Sequence, residues 1–562
     1  MEFPCAHWAQ EHSNVRCPKN GYKACQNCHL VLTSHWPIHK LDCKSSLNSS
    51  TWRPKWDIEG RSPTFISAQI TDKAFVIQEF GGTKYLWGKV PAIDWLRLKD
   101  NEGKTTSQNL SILAASGDLR NVIKTINALP QTYSGCLNLD LNDGDETVAL
   151  RNIILMIVAF HFQPEKASII MLHLCYSAFL RKDMLESVQS VCIPFIQNLL
   201  ASGQEGPTGL LLKGTCTHNK ATLTAALPRV IWERILLIFT TPSRLSFDEA
   251  VALRRSVTLA KHRQDQREGS MFRLPPPWRL AQQKFREDGV LLPFGASRDR
   301  YNIPNPTFFE NTSWPMPDSA DPFDGWKLSE ILRSPYGAKN DLYGQLYLHV
   351  MRNFVTFCER LSTLKLNIYL WNAEPIDLAR DMLLLHGNWQ AYDRIDLADI
   401  ADTSQQLAKY LAIFRPLLRT KEQNQKATLL TIFLNVVLEM RTYVDQKERV
   451  SRMTSKVQEF MSLDSAALSR GCYKADYINF LNAHDLFVDR TAIFNRFTMS
   501  TRLVEMGASV GLRMKSRHTV IAKWPLRLPK FPTKHEFEML HWSPHHGSER
   551  YVEWQRQKMT SH

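Results

Sequence analysis

The chain has 562 residues, 44% of them hydrophobic and 22% charged, with a formal net charge of +14. That composition excludes a disordered or fibrous chain and provides for two to four domains. Its longest apolar runs, IILMIVAF and TLLTIFLNVVL, fall short of the roughly 20 residues that span a bilayer, and MEFPCAHWAQEH lacks the basic-then-apolar order of a signal peptide, so an intracellular protein, cytoplasmic or nuclear and off the membrane, is expected.

The first predicted element is a metal module. Cys5, Cys17, Cys25, Cys28 and Cys43 gather at the N-terminus, whereas Cys136, Cys175, Cys192, Cys216, Cys358 and Cys472 are scattered, mostly in apolar runs. A short cluster of this kind reads as a zinc site in a reducing compartment, and the scattered thiols as inert core residues. In CQNCHLVLTSHWPIHKLDC, residues 25–43, a Cys-x2-Cys turn is followed by a His-x3-Cys turn. Thiolates and imidazole bind zinc tetrahedrally, and each short turn presents two ligands, so Cys25, Cys28, His39 and Cys43 form one complete set.

The segment from residue 5 to about 45 resembles the MYND-type zinc finger, with HWPIHKLDC similar to that family's closing W-x-x-H-K-x-x-C. The resemblance implies four ligand pairs binding two zinc ions. Cys25/Cys28 match the second pair and His39/Cys43 the fourth. Cys5 and Cys17 resemble the first pair at a wider spacing, and the third pair is missing. One zinc is therefore expected, with a second only if His7, His12 or His35 substitutes. Such fingers bind short peptide partners, and no zinc position is left open for catalysis. A folding staple is the plainer role, since structural zinc contributes on the order of 10 kcal/mol to a small module.

After a polar linker, SSLNSSTWRPKW, the body begins. LSILAASGDLRNVIKTINALP predicts a buried strand, a tight turn at Ser116-Gly117-Asp118, and a helix with Leu119, Val122, Ile123 and Ile126 on one face. LNLDLND predicts a strand ending at Asp143, and TVALRNIILMIVAF a helix. Strand, turn, helix, strand with a terminal acid, helix is the doubly wound nucleotide-binding order. Ser116, Gly117, Asp118 and Asp143 are the candidate cofactor residues. Only one glycine is present where such loops use two or three, so Cβ atoms of Ala114, Ala115 and Ser116 are expected to crowd the approach, and Asp118 to cap the helix N–H groups. A layer kept for packing, with no catalytic residues, is the preferred reading.

Residues 160–265 read as mainly helical. RLPPPWRL and the aromatic, Pro-rich stretch up to Trp326 read as ordered loops. A second block follows: a helix from Leu342, strand LKLNIYLWN, helix PIDLARDMLLL, strand YDRIDLADI, and helices including ATLLTIFLNVVLEM. Asp396, Asp399 and Asp402 end that strand and read as a solvated strand end. The expected divisions are 1–45 (finger), 46–265 (first α/β and helical region), 266–340 (ordered loops), 341–450 (second α/β block) and 451–562 (helical and basic region).

LAASGDLRNVIKTI, LNDGDETVALRNIILMIVA, YSAFLRKDML, FREDGVLLPFGASR, NPTFF, ADPFDGW, KWPLRL and RYVEW together resemble a family of unknown function. That family is found beside MYND fingers in fungal proteins and also in dynein axonemal assembly factors. The resemblance implies a small zinc finger joined to an α/β, Rossmann-like (methyltransferase-like) body with added helices, and no assigned activity. For the animal relatives it implies a role in assembling dynein complexes.

Arg513–Lys534 carries seven Lys/Arg and no acid, with Trp524 and Phe531 interleaved. Nucleic acid is the functional reading of such a stretch, and a charge-protected edge strand over HTVIAKW is the preferred one. Three functions compete. The first is a zinc-bearing interaction or assembly scaffold meeting protein or peptide partners through its finger. The second is an S-adenosylmethionine-dependent methyltransferase, and the third a nucleic-acid binder. No Ser-His-Asp, HExxH, Walker or N-H-S-C pattern supports other chemistry, and the scaffold is preferred over an enzyme.

Overall fold

The computed structural model describes residues 42–67, 79–202, 211–241, 245–309, 312–334, 338–386, 392–400, 404–463, 473–545 and 547–557. Cys5, Cys17, Cys25, Cys28 and His39 of the expected finger lie outside these residues, as do Asp402 and Cys472. Among the described residues no zinc finger is shown. Cys43 is described.

The chain is an α/β protein built on one large mixed sheet. Its elements begin with β1 (Leu110–Ala114), helix α1 (Leu119–Ala128), β2 (Cys136–Asn142), α2 (Glu146–His161) and α3 (Pro164–Tyr176). The short β3 (Phe179–Leu180), α4 (Lys182–Ser202), β4 (Leu211–His218), β5 (Ala221–Pro228) and α5 (Arg229–Thr240) come next. Beyond the short β6 (Ile303–Pro304) lie α6 (Leu342–Thr363), β7 (Lys365–Trp371), α7 (Pro375–His386), β8 (Arg394–Asp396), α8 (Ser404–Phe414), β9 (Thr428–Phe433), β10 (Leu512–Met514) and β11 (Arg550–Arg556). The nine-stranded sheet runs β10-β11-β9-β8-β1-β2-β7-β5-β4. β1, β2, β5, β7, β8 and β9 are mutually parallel, and β11 and β4 run antiparallel to their neighbours.

Local chemistry explains the first crossover. Asp118 caps α1 by accepting from Arg120 N at 2.9 Å, and Leu119, Val122, Ile123 and Ile126 are all buried. Pro130 lies just beyond its end. Asp145 caps α2 through Thr147 N, and every residue from Ala149 to Phe160 is buried. A helix covered all round is one packed between layers.

Alternate residues of β1 feed two cores. Leu110, Ile112 and Ala114 join the larger one and Leu113 and Ala115 the smaller, which includes residues of α7, α8 and the C-terminal helices. The smaller core covers β1, β8 and β9 but stops short of the other edge. On that face Thr215, Thr217, Thr222, Thr224, Asn367 and Tyr369 are exposed or half-buried.

The structure departs from the sequence reading at four elements. RLPPPWRL, read as an ordered loop within 266–340, leads into a helix over Pro276–Asp288, preceded by another over Gln264–Phe272; prolines in the first turn of a helix cost it no hydrogen bond. Residues 211–228, read as part of a mainly helical region, form the β4–β5 hairpin. Thr428–Phe433, read as a helix, is the fully buried central strand β9. HTVIAKW forms no strand. Its loop is held by buried Glu553, which accepts from Thr519 N, Val520 N and Ile521 N at 3.0, 2.8 and 3.1 Å. The two α/β blocks of the sequence interleave in one sheet, with β2 of the first pairing with β7 of the second.

Candidate functional site

Open α/β sheets take ligands beyond the carboxyl ends of their strands, where the strand order reverses. Here that point lies between β1 and β8, with β2 beside β1. Three of the four sequence candidates, Ser116, Gly117 and Asp143, meet there. Asp143, one residue past β2, accepts at Oδ2 from Ser116 Oγ (3.0 Å) and Gly117 N (2.9 Å), and at Oδ1 from Asp145 N (2.8 Å). Burial pushes its carboxyl up to about 6, against the opposing pull of these donors. Asp118 is turned away, capping α1 and pairing with Arg120 Nε at 2.9 Å.

The turn is closed by hydrogen bonds and not by crowding. A Cβ at Gly117 would meet nothing nearer than Leu141 Cδ1 at 4.0 Å, and Ala114 and Ala115 face into the cores. The Gly117 N–H, which a nucleotide loop would offer to a phosphate, is given to Asp143 instead.

Sequence reasoning missed several residues that fix this edge. Fully buried Asn142 donates to Ala115 O (2.8 Å) and Ala373 O (3.0 Å) and accepts from Ala373 N (3.0 Å), tying the loops after β1, β2 and β7 together. Asn152 of α2 donates to Gly117 O at 3.1 Å. An asparagine ending a strand beside an acid was the available signal for Asn142.

At the end of β8 the expectation of a solvated acid fails for Asp396. It is 5% exposed, and its carboxylate accepts from Trp95 Nε1 at 2.7 Å and Ala398 N at 2.9 Å. Burial pushes it, too, up to about 6. Asp399 stays near the surface, 3.0 Å from Lys89 Nζ.

Trp95 and Lys89 belong to a segment, residues 84–98, that crosses this edge of the sheet. Lys84 pairs with Asp145. Trp95 N and Ile93 N bond Thr125 Oγ1 and Asn121 Oδ1 of α1. Arg120, half-buried beside the turn, donates to Val90 O (2.9 Å) and Gly325 O (3.0 Å). Trp87, Trp95, Leu96 and Leu98 are buried in the larger core. Gly88, at φ 85°, is required where the segment passes Arg120, because a Cβ there would lie 1.8 Å from Nη2.

Of the expected zinc ligands only Cys43 is placed. It lies in the first described turn, half-buried against the larger core, with Asn48 Nδ2 3.9 Å from Sγ. Among the described residues no group of three or more His, Cys, Asp or Glu is arranged to hold a metal ion, and no helix is long and apolar enough to cross a membrane. In the basic stretch, Lys515 is turned inward beside Glu553 at 3.4 Å, where burial lowers its ammonium to about 8. Trp524 packs edge-on against Phe494, whereas Phe531 is 83% exposed.

Residues 86–180 match the model of a domain of unknown function (DUF4470). The match takes in most of the crossing segment and runs through β1, α1, β2, α2 and α3 to β3. No curated protein and no solved structure matches the chain.

Proposed function

We propose that this chain is an intracellular interaction or assembly scaffold, bearing a MYND-like zinc finger of the kind found in fungal proteins, on a Rossmann-like, methyltransferase-like body that carries out no methyl transfer. The fold part is supported by the order β7-β2-β1-β8-β9, which, with the β4–β5 hairpin at the far edge set aside as an insertion, is the doubly wound 3-2-1-4-5. The observation that carries the non-catalytic part is Asp143. The acid that would hold a ribose bonds Gly117 N–H and Ser116 O–H, the donors a cofactor would need. The segment from Lys84 to Leu98, anchored by buried tryptophans, adds a second layer over the same edge.

Zinc would be held by Cys25, Cys28, His39 and Cys43, with Cys5 and Cys17 as remnants of a second set. Of these residues Cys43 is described, with Asn48 Nδ2 3.9 Å from its sulfur. Peptide partners would meet the finger.

A methyltransferase is the alternative, favoured by the place of Asp143 at the end of β2. Isothermal titration of the full chain with S-adenosylmethionine separates the two. The scaffold predicts no binding heat up to ~1 mM ligand. A dissociation constant in the low micromolar range, lost in Asp143→Ala, would replace it with the enzyme. Elemental analysis should find about one zinc per chain, falling in Cys28→Ser. Near two, or full zinc in that variant, contradicts the ligand set.

A further inference from the structure

The two edges of the sheet are built differently. At one, β10 has three residues, and the chain continues along β11 through Lys515 N–H to Glu553 O and Tyr551 N–H to Lys523 O. Exposed Arg513, Arg517 and Lys523 stud it. Short length, irregular backbone and like charge are the ordinary devices that stop an edge from recruiting another strand.

The other edge, β4, has eight residues without a proline, and no other strand among the described residues pairs with its outer side. Which of its backbone groups point outward follows from the hairpin. Pro228, opposite Leu211, has no N–H, and the two-residue turn Asn219–Lys220, with Asn219 at φ 53°, closes on the pair His218/Ala221. Leu212, Gly214, Cys216 and His218 therefore bond to β5. The N–H and C=O groups of Leu211, Lys213, Thr215 and Thr217 face away from it.

We propose that β4 pairs antiparallel with β4 of a second copy of this chain, about a two-fold axis at Gly214. That register pairs Leu211 with Thr217 and Lys213 with Thr215 of the other copy, and uses every outward group. It sets Leu212 opposite Cys216, both on the face covered by Trp232 and Phe195, and glycine opposite glycine on the axis. Shifting by two residues one way sets Lys213 against Lys213. Shifting the other way leaves Leu211 unpaired. The strand is thus self-complementary in face and hydrogen bonding and sets no like charges directly opposite each other, which commits it to its own copy rather than to an unrelated strand.

The test is sedimentation analysis of the full chain and two variants at micromolar concentration. Thr215→Lys sets two lysines opposite each other twice per dimer. It leaves the monomer's own pairs unchanged in kind, because Lys213 and Thr215 face uncharged Ala226 and Thr224 on β5. The side chain is exposed, so the fold is kept, and circular dichroism checks this. The wild type should dimerise, T215K should raise the dissociation constant about tenfold or more, and K213E/T215K, which restores opposite charges across the axis, should return it close to wild type. A monomeric wild type overturns the proposal. So does a dimer indifferent to T215K, or one that the double substitution fails to restore.

Discussion

The ends of β2 and β8 each carry a buried carboxylate pushed up to about 6, yet the two are closed in different ways. Asp143 is held by its own neighbourhood: a backbone N–H and a hydroxyl from the turn after β1, and an N–H two residues on. Asp396 is held by Trp95, about three hundred residues earlier in the chain, whose indole is 2% exposed. The first closure is local and near the surface, and a ligand competing for the same donors would have to displace one carboxylate. The second is tied into the larger core and opens only if the crossing segment leaves. On the proposed reading, self-bonding alone retires a ligand-binding edge, and the tryptophan makes the change structural.

The largest expected effect is therefore at β8. Asp396→Ala leaves the Trp95 indole N–H buried without an acceptor and should cost about 2–4 kcal/mol in urea unfolding. A cost no greater than that at Asp143 would erase the distinction between the two ends. Asp143→Ala frees donors that water can reach and should cost about 1–2 kcal/mol by the same measurement.

The pH dependence of Asp143 has a definite sign. A folded-state value of about 6, above the ordinary 3.8, means the folded chain binds this proton more tightly than the unfolded one. Its contribution is fully present below about 4 and is lost as pH rises through about 6. The stability of wild type over Asp143→Asn should therefore be about 1 kcal/mol greater at pH 5 than at pH 7. No difference would place the carboxylate in solvent, and a difference of the opposite sign would mean that the hydrogen-bond donors outweigh burial and hold it ionised. The smallest effect is at the surface pair, where Lys89→Ala should cost less than about 1 kcal/mol. A larger loss would mean that the crossing segment depends on its charges and not on its buried tryptophans.

The first crossover was legible because every level agreed. The apolar spacing of Leu119, Val122, Ile123 and Ile126, the cap at Asp118 and the acid after β2 all reappear in place. β9 was misread because all six of its residues are buried. A central strand shows no alternation, and its apolar run merges with that of the following short helix. The β4–β5 hairpin was hidden by a turn without glycine and by alternation of threonine with small residues. Asp396 was placed in solvent because nothing near it in sequence announces Trp95. The function of Asp143 was half visible: its position at a strand end could be read, and its bond to Gly117 could not.

The most direct measurement of the central claim is hydrogen exchange at Gly117, followed by mass spectrometry on peptides spanning the turn after β1, with and without S-adenosylmethionine. A Gly117 N–H held by Asp143 exchanges slowly in the wild type, is indifferent to the ligand, and exchanges fast in Asp143→Ala. If the ligand itself slows exchange at the turn in the wild type, the edge is open to a cofactor, and the claim that the chain has closed its own site is wrong.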